Sequence, residues 1–145
     1  MAQTKALIKE LAGKRTGNVF LQGLRASSAP LLFCGVARSG GKPCILIILN
    51  DQEEAAYFYH DMVQTMGDEN VLYFPSAFRR AAKYGQKDDA SEILRTEVLS
   101  RLTTVTPDAR TLVIVTSADA LAEKVVSKSS LEDKSIRLNV GETLD

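Results

Sequence analysis

Tryptophan is absent from this 145-residue chain, histidine occurs once, and there is no excess charge of either sign. Eighteen basic residues balance eighteen acidic ones, so the chain as a whole has no pull toward nucleic acid or an acidic membrane. The longest apolar run, Cys44 to Leu49, is far short of a bilayer span. The opening MAQTKALIKELAGK carries no signal-peptide core, which makes a cytoplasmic location the expectation. Only two cysteines are present, Cys34 and Cys44, in apolar surroundings and at a spacing unsuited to metal ligands. Buried free thiols in a reducing compartment are the reading. With His60 the one imidazole, the spacing proposes no Ser-His-Asp arrangement.

What is present describes a globular α/β chain. Hydrophobic residues make up 45% and charged ones 25%, enough for one domain with a core. Residues 1–14 read as an N-terminal helix stopped near Gly13, and 15–140 as a single α/β domain. Residues 141–145 read as the start of a further subdomain, with Ile136–Val140 as a strand before it, so the abrupt ending suggests a boundary inside a longer protein. Asn18–Leu21 reads as a short strand, and residues 30–38 as a buried helix with Pro30 at its first position. Cys44–Leu49, Val71–Phe74 and Thr111–Val115 are continuous apolar runs, the pattern of parallel strands covered on both faces. Between them, Asp51 with Glu54 opens a helix through Met66, with Ala55, Phe58, Tyr59, Met62 and Met66 inward. Asp89 with Glu92 opens another, with Leu94, Val98, Leu102 and Val105 as its stripe, and a short helix spans Ala118–Val125. Alternating strands and helices predict a three-layer fold, a mostly parallel sheet with helices on both faces.

The segment Gly23-Leu24-Arg25-Ala26-Ser27-Ser28-Ala29-Pro30 lies where a phosphate-binding loop would stand in a P-loop NTPase-like fold. A working loop, G-x-x-x-x-G-K-[ST], cradles phosphate with backbone N–H groups, Lys and a magnesium-binding hydroxyl. Gly23 survives, while Ser28, Ala29 and Pro30 replace the second Gly, the Lys and the Ser/Thr. Each lost charge-assisted contact removes about 1.5–3 kcal/mol of binding. Pro30 also removes an N–H and disfavours helical geometry at Ala29, so the helix should begin later than in a working loop. Arg25 is the local cation that remains. The reading is a degenerate nucleotide loop, with no cofactor for this segment.

Other candidates sit at expected strand ends, where open parallel sheets bind ligands. Asp51 suits a ribose or metal ligand, but helix capping is its ordinary role. Ser76 and Ser117 suit nucleophiles, yet lack a base nearby in sequence, and serines after buried strands usually cap helices. His60 lies off the apolar stripe of its helix and reads as solvated. Thr116-Ser117-Ala118-Asp119 stands where a hydrolase would carry magnesium-holding carboxylates. No catalytic or metal residue is assigned. The basic segment Phe78, Arg79, Arg80, Lys83, Tyr84 and Lys87 offers phosphate contacts and stacking, hence nucleic-acid or protein contact, or else a solvated loop balanced by Asp88 and Asp89.

The order of these features resembles a known family. The altered Gly23–Pro30 loop, Ile45–Leu49 with Asn50-Asp51, Tyr73-Phe74-Pro75, the helix with Glu92, Ile93, Arg95, Leu99 and Leu102, Leu112–Thr116, and Leu138-Asn-Val-Gly141-Glu-Thr-Leu144 follow in sequence. This is similar to the N-terminal UvrB-like region of the bacterial transcription-repair coupling factors, the Mfd family, over roughly residues 15–145. The resemblance implies a non-catalytic first subdomain (UvrB domain 1a-like) of a module that recruits UvrA to stalled RNA polymerase in nucleotide excision repair. UvrA would be contacted through the adjacent subdomain, and the ATP-driven DNA translocase and polymerase-binding domains would lie further along. The Ser76–Ala90 gap is too short for the lesion-probing hairpin of UvrB-like proteins and is unusually basic.

Overall fold

In a computed structural model of the chain, residues 2–14, 16–78, 88–107 and 109–125 are described. They form α1 (Ala2–Gly13), α2 (Ser28–Ser39), β1 (Cys44–Leu49), α3 (Gln52–Met66), β2 (Val71–Phe74), α4 (Asp89–Thr103), β3 (Leu112–Ser117) and α5 (Ala118–Ala122). The three strands make one all-parallel open sheet in the order β1-β3-β2. β3 is central and buried along its whole length, pairing Cys44 with Leu112 on one side and Val71 with Val113 on the other.

Strand side chains alternate between faces, and here both sets are apolar. Ile45, Ile47, Leu49, Val71, Tyr73, Val113 and Val115 meet Cys34 and Ala37 of α2 and Ala55, Phe58, Tyr59, Met62 and Met66 of α3. The alternate residues Leu72, Phe74, Leu112 and Ile114 meet Val98 and Leu99 of α4 and Ala120 of α5. Helices therefore lie on both faces, as the alternation of patterns predicts. α1 packs on α2.

The inward set expected for α3 is the observed one, and its cap is observed too: Asp51 Oδ1 accepts from Glu54 N at 2.9 Å. Glu54 Oε2 reciprocates by accepting from the backbone N–H of Asn50. α4 departs from expectation. Its N-cap is Asp88 rather than Asp89, with Ser91 Oγ donating to Asp88 Oδ2 at 2.9 Å. Its buried line is Ser91, Arg95 and Val98, while Leu102 is exposed. An arginine took the inward position because partners for its guanidinium wait there, which helical periodicity does not register.

Three further expectations are corrected. Asn18–Leu21 is not a strand: residues 18–25 carry no regular structure, and Phe20 is 89% exposed, so ordering the segment would gain no burial. α2 begins at Ser28, ahead of Pro30, and Ala29 is helical. Proline is tolerated there because a first-turn N–H has no partner within the helix. Finally, among the described residues β1 is covered along its length on one face only. Leu46 and Ile48 on the other face are 51% and 53% exposed, because α4 lies on β2 and α5 ends at Ala122. The readings on Ile136–Val140 and 141–145 lie outside the described residues.

Close approach of α1 to α2 depends on Gly35, where a Cβ would come within 2.5 Å of Ile8 Cδ1. In Gly35→Ala, overpacking against Ile8 is opposed by alanine's better helix propensity of about 1 kcal/mol, so a net loss below about 2 kcal/mol is expected. Ile8→Ala should recover part of that loss, as read by urea unfolding of the single and double variants.

Candidate functional site

The carboxyl edge of the sheet is where β1 runs into Asn50-Asp51, β2 into Pro75-Ser76 and β3 directly into α5. Sequence reasoning placed Asp51, Ser76 and Ser117 here. It did not place Arg95 and Glu123, which are the centre of the arrangement.

Arg95 is only 4% exposed. Its Nη1 donates to Pro75 O at 2.8 Å and to Ala120 O at 3.3 Å, and lies 3.2 Å from Glu123 Oε2. The guanidinium carbon sits 4.1 Å from the centroid of the Phe74 ring, in cation–π contact. Glu123 Oε2 also accepts from Ala77 N at 2.8 Å, and its Oε1 accepts from Ser76 Oγ. One ion pair thus ties the exit of β2, the body of α4 and the end of α5. Arg95 Nη2 is buried without an acceptor. The one signal in the sequence was an arginine amid the α4 apolar stripe, four residues after Ser91 and three before Val98.

The remaining polar groups of this edge also bond inward. Ser117 Oγ accepts from Ala120 N at 3.4 Å as the cap of α5, and Thr116 Oγ1 donates to Phe74 O at 2.8 Å. Ser76 is 8% exposed, and its hydroxyl donates to the Glu123 carboxylate that also pairs with Arg95. His60 is exposed, with its Nε2 2.9 Å from Gln64 Nε2.

No strand leads into the Gly23–Pro30 loop, since residues 18–25 carry no regular structure. Gly23 takes φ +86° and Ala26 the left-handed value +47°, which costs a non-glycine residue about 1–2 kcal/mol. Arg25 N donates to Ser28 Oγ at 2.7 Å, Ser28 N to Arg25 O at 3.0 Å and Leu31 N to Ser27 O at 3.1 Å. Pro30, buried, has no N–H to offer. Two of the loop's amides, those of Arg25 and Ser28, are thereby occupied, and Pro30 has none. Of the basic candidates, Phe78 is 43% exposed, while Arg79, Arg80, Lys83, Tyr84 and Lys87 lie outside the described residues. The flanks of that segment meet where Asp88 N donates to Ala77 O at 2.9 Å.

Both cysteines are free, Cys34 buried and Cys44 half-buried. Burial pushes both thiols above their ordinary value, and does the same to the hydroxyls of Tyr59 and Tyr73. Asp68 and Glu97 push Tyr59 further up. These acids keep their protons in the folded state to higher pH than in the unfolded chain. Their contribution is whole below about pH 9 and is lost as pH rises through the raised folded values. The urea midpoint should therefore fall between pH 9 and pH 11, and Tyr59→Phe should flatten that fall.

Among the described residues, no group of three His, Cys, Asp or Glu is placed to hold a metal ion, and no helix is long and apolar enough to cross a membrane. What the geometry defines is a small, all-parallel α/β domain with an internally bonded carboxyl edge. Compared with protein-family models, curated proteins and solved structures, the chain gave no match.

Proposed function

We propose that this domain is a non-catalytic interaction subdomain, P-loop NTPase-like in descent, from the UvrB-like module of a transcription-repair coupling factor. In that role it supports recruitment of UvrA, through the adjacent subdomain, to RNA polymerase stalled at DNA lesions. The observation that supports this reading most is where the polar groups of the two ligand-binding regions are spent. At the sheet's carboxyl edge, Asp51, Ser76, Arg95, Thr116, Ser117 and Glu123 all bond to the protein's own groups. In the Gly23–Pro30 loop, Arg25 N and Ser28 N do the same. A fold that engages these groups internally favours rigidity and contact surface over ligand turnover. The order of features along the chain, from Gly23 to Leu144, supports the particular family.

The direct test is equilibrium binding of labelled ATP and ADP to the domain with magnesium. The expected result is no micromolar binding. Micromolar, magnesium-dependent affinity abolished by Arg25→Ala would sink the proposal. A salt-sensitive gel shift with duplex DNA, lost in Arg79→Ala/Arg80→Ala, would instead support the nucleic-acid-binding alternative built on residues 78–87.

A further inference from the structure

α5 has five residues, too few to be stable as an isolated helix, and Ala120 is its one buried residue. Leu121 and Val125 are 44% and 52% exposed, so apolar burial holds this segment weakly. Polar bonds fasten it: the Glu123 carboxylate takes Ser76 Oγ, Ala77 N and the Arg95 guanidinium, and Arg95 also bonds Ala120 O. Beneath lies a cavity of about 300 Å³, lined by Leu46, Phe74, Ile114, Leu121 and Val125 among others.

We propose that α5 and the residues through Val125 form a strap, closed over the sheet's second face by the Glu123 fastening and able to open about Ser117. Two opposing features set the balance. The bonds to Glu123 are charge-assisted and largely shielded from water, which favours the closed state. Arg95 Nη2 is buried there without an acceptor, and opening would hydrate it, which favours the open state. The hinge is the junction where β3 passes into α5 without a loop, its cap bond from Ala120 N to Ser117 Oγ being long at 3.4 Å. Opening uncovers Phe74 and Ile114 and joins them to the exposed Leu46 and Ile48, converting a narrow cavity into a continuous apolar face.

Amide hydrogen exchange followed by mass spectrometry tests the strap. In the unaltered protein, peptides covering 118–125 should exchange by a local opening that is insensitive to low urea, while α3 exchanges by global unfolding. Glu123→Gln should accelerate 118–125 by about ten- to a hundred-fold, the equivalent of one charge-assisted hydrogen bond, and α3 by no more than that factor, because the same bonds also break in global unfolding. Ser76→Ala removes one donor and keeps both charges, so a smaller acceleration of the same residues is expected. That variant decides the matter where Glu123→Gln does not fold. Fluorescence of 1-anilinonaphthalene-8-sulfonate should rise in step as the apolar face opens. Unchanged exchange of 118–125 in both variants, or exchange of 118–125 in the unaltered protein that rises with urea in parallel with α3, overturns the proposal.

Discussion

Arg95→Met is expected to destabilise the domain by about 3–5 kcal/mol, the usual cost of removing one partner from a buried ion pair. The side chains of Arg95 and Glu123 are 5% and 15% exposed, so water cannot replace the lost partner cheaply. Pro75 O and Ala120 O would lose a donor at the same time, and Phe74 its cation. Urea unfolding should show a lower midpoint with an unchanged slope. Glu123→Gln added to Arg95→Met should restore part of the loss, because no carboxylate charge is then left unpaired. A double-mutant cycle with no coupling between the two positions would mean that the pair is an incidental contact.

Met62→Ala should cost about 2–5 kcal/mol, through lost burial and the cavity left behind. Met62 is fully enclosed between α3 and the sheet, in one cluster with Cys34, Ile47, Val71, Val113 and Val115. Met62→Leu keeps the volume and should cost less than about 1.5 kcal/mol. The same unfolding measurement separates the two, and equal losses would argue that methionine is held for something other than its volume.

Both predictions concern the core, but they were unequally visible in the sequence. Met62 sits on a helical stripe with Ala55, Phe58, Tyr59 and Met66, and the Asp51–Glu54 pair marks where that helix starts. Strand composition was equally plain, since a run such as Cys44–Leu49 has few other places to go. Arg95 was hidden because hydropathy assigns arginine to solvent. Its burial depends on Pro75 O, Ala120 O and Glu123, which are distant in sequence and meet only when β2, α4 and α5 come together. Asn18–Leu21 failed in the opposite direction. Its residues suit a strand, but a strand needs a neighbour, and Phe20 has nothing to pack against.

The candidate site follows the same division. That Ser28, Ala29 and Pro30 do not offer the Gly, Lys and Ser/Thr of a working phosphate loop is a statement about side-chain chemistry, legible without a fold. That Arg25 N and Ser28 N are also spoken for depends on a turn closing on itself at Ala26, which side-chain chemistry alone does not specify.

By itself, then, the sequence determined the α/β class, the strand and helix segments that local periodicity and capping specify, and the chemical incapacity of the loop side chains. Tertiary structure alone decided the strand order, the bare face of β1, and the Arg95–Glu123 tie across the sheet's carboxyl edge. The physical reason is range. Periodicity and caps act over a few residues, whereas an arginine becomes a core residue only when acceptors from two other elements, the exit of β2 and α5, close around it.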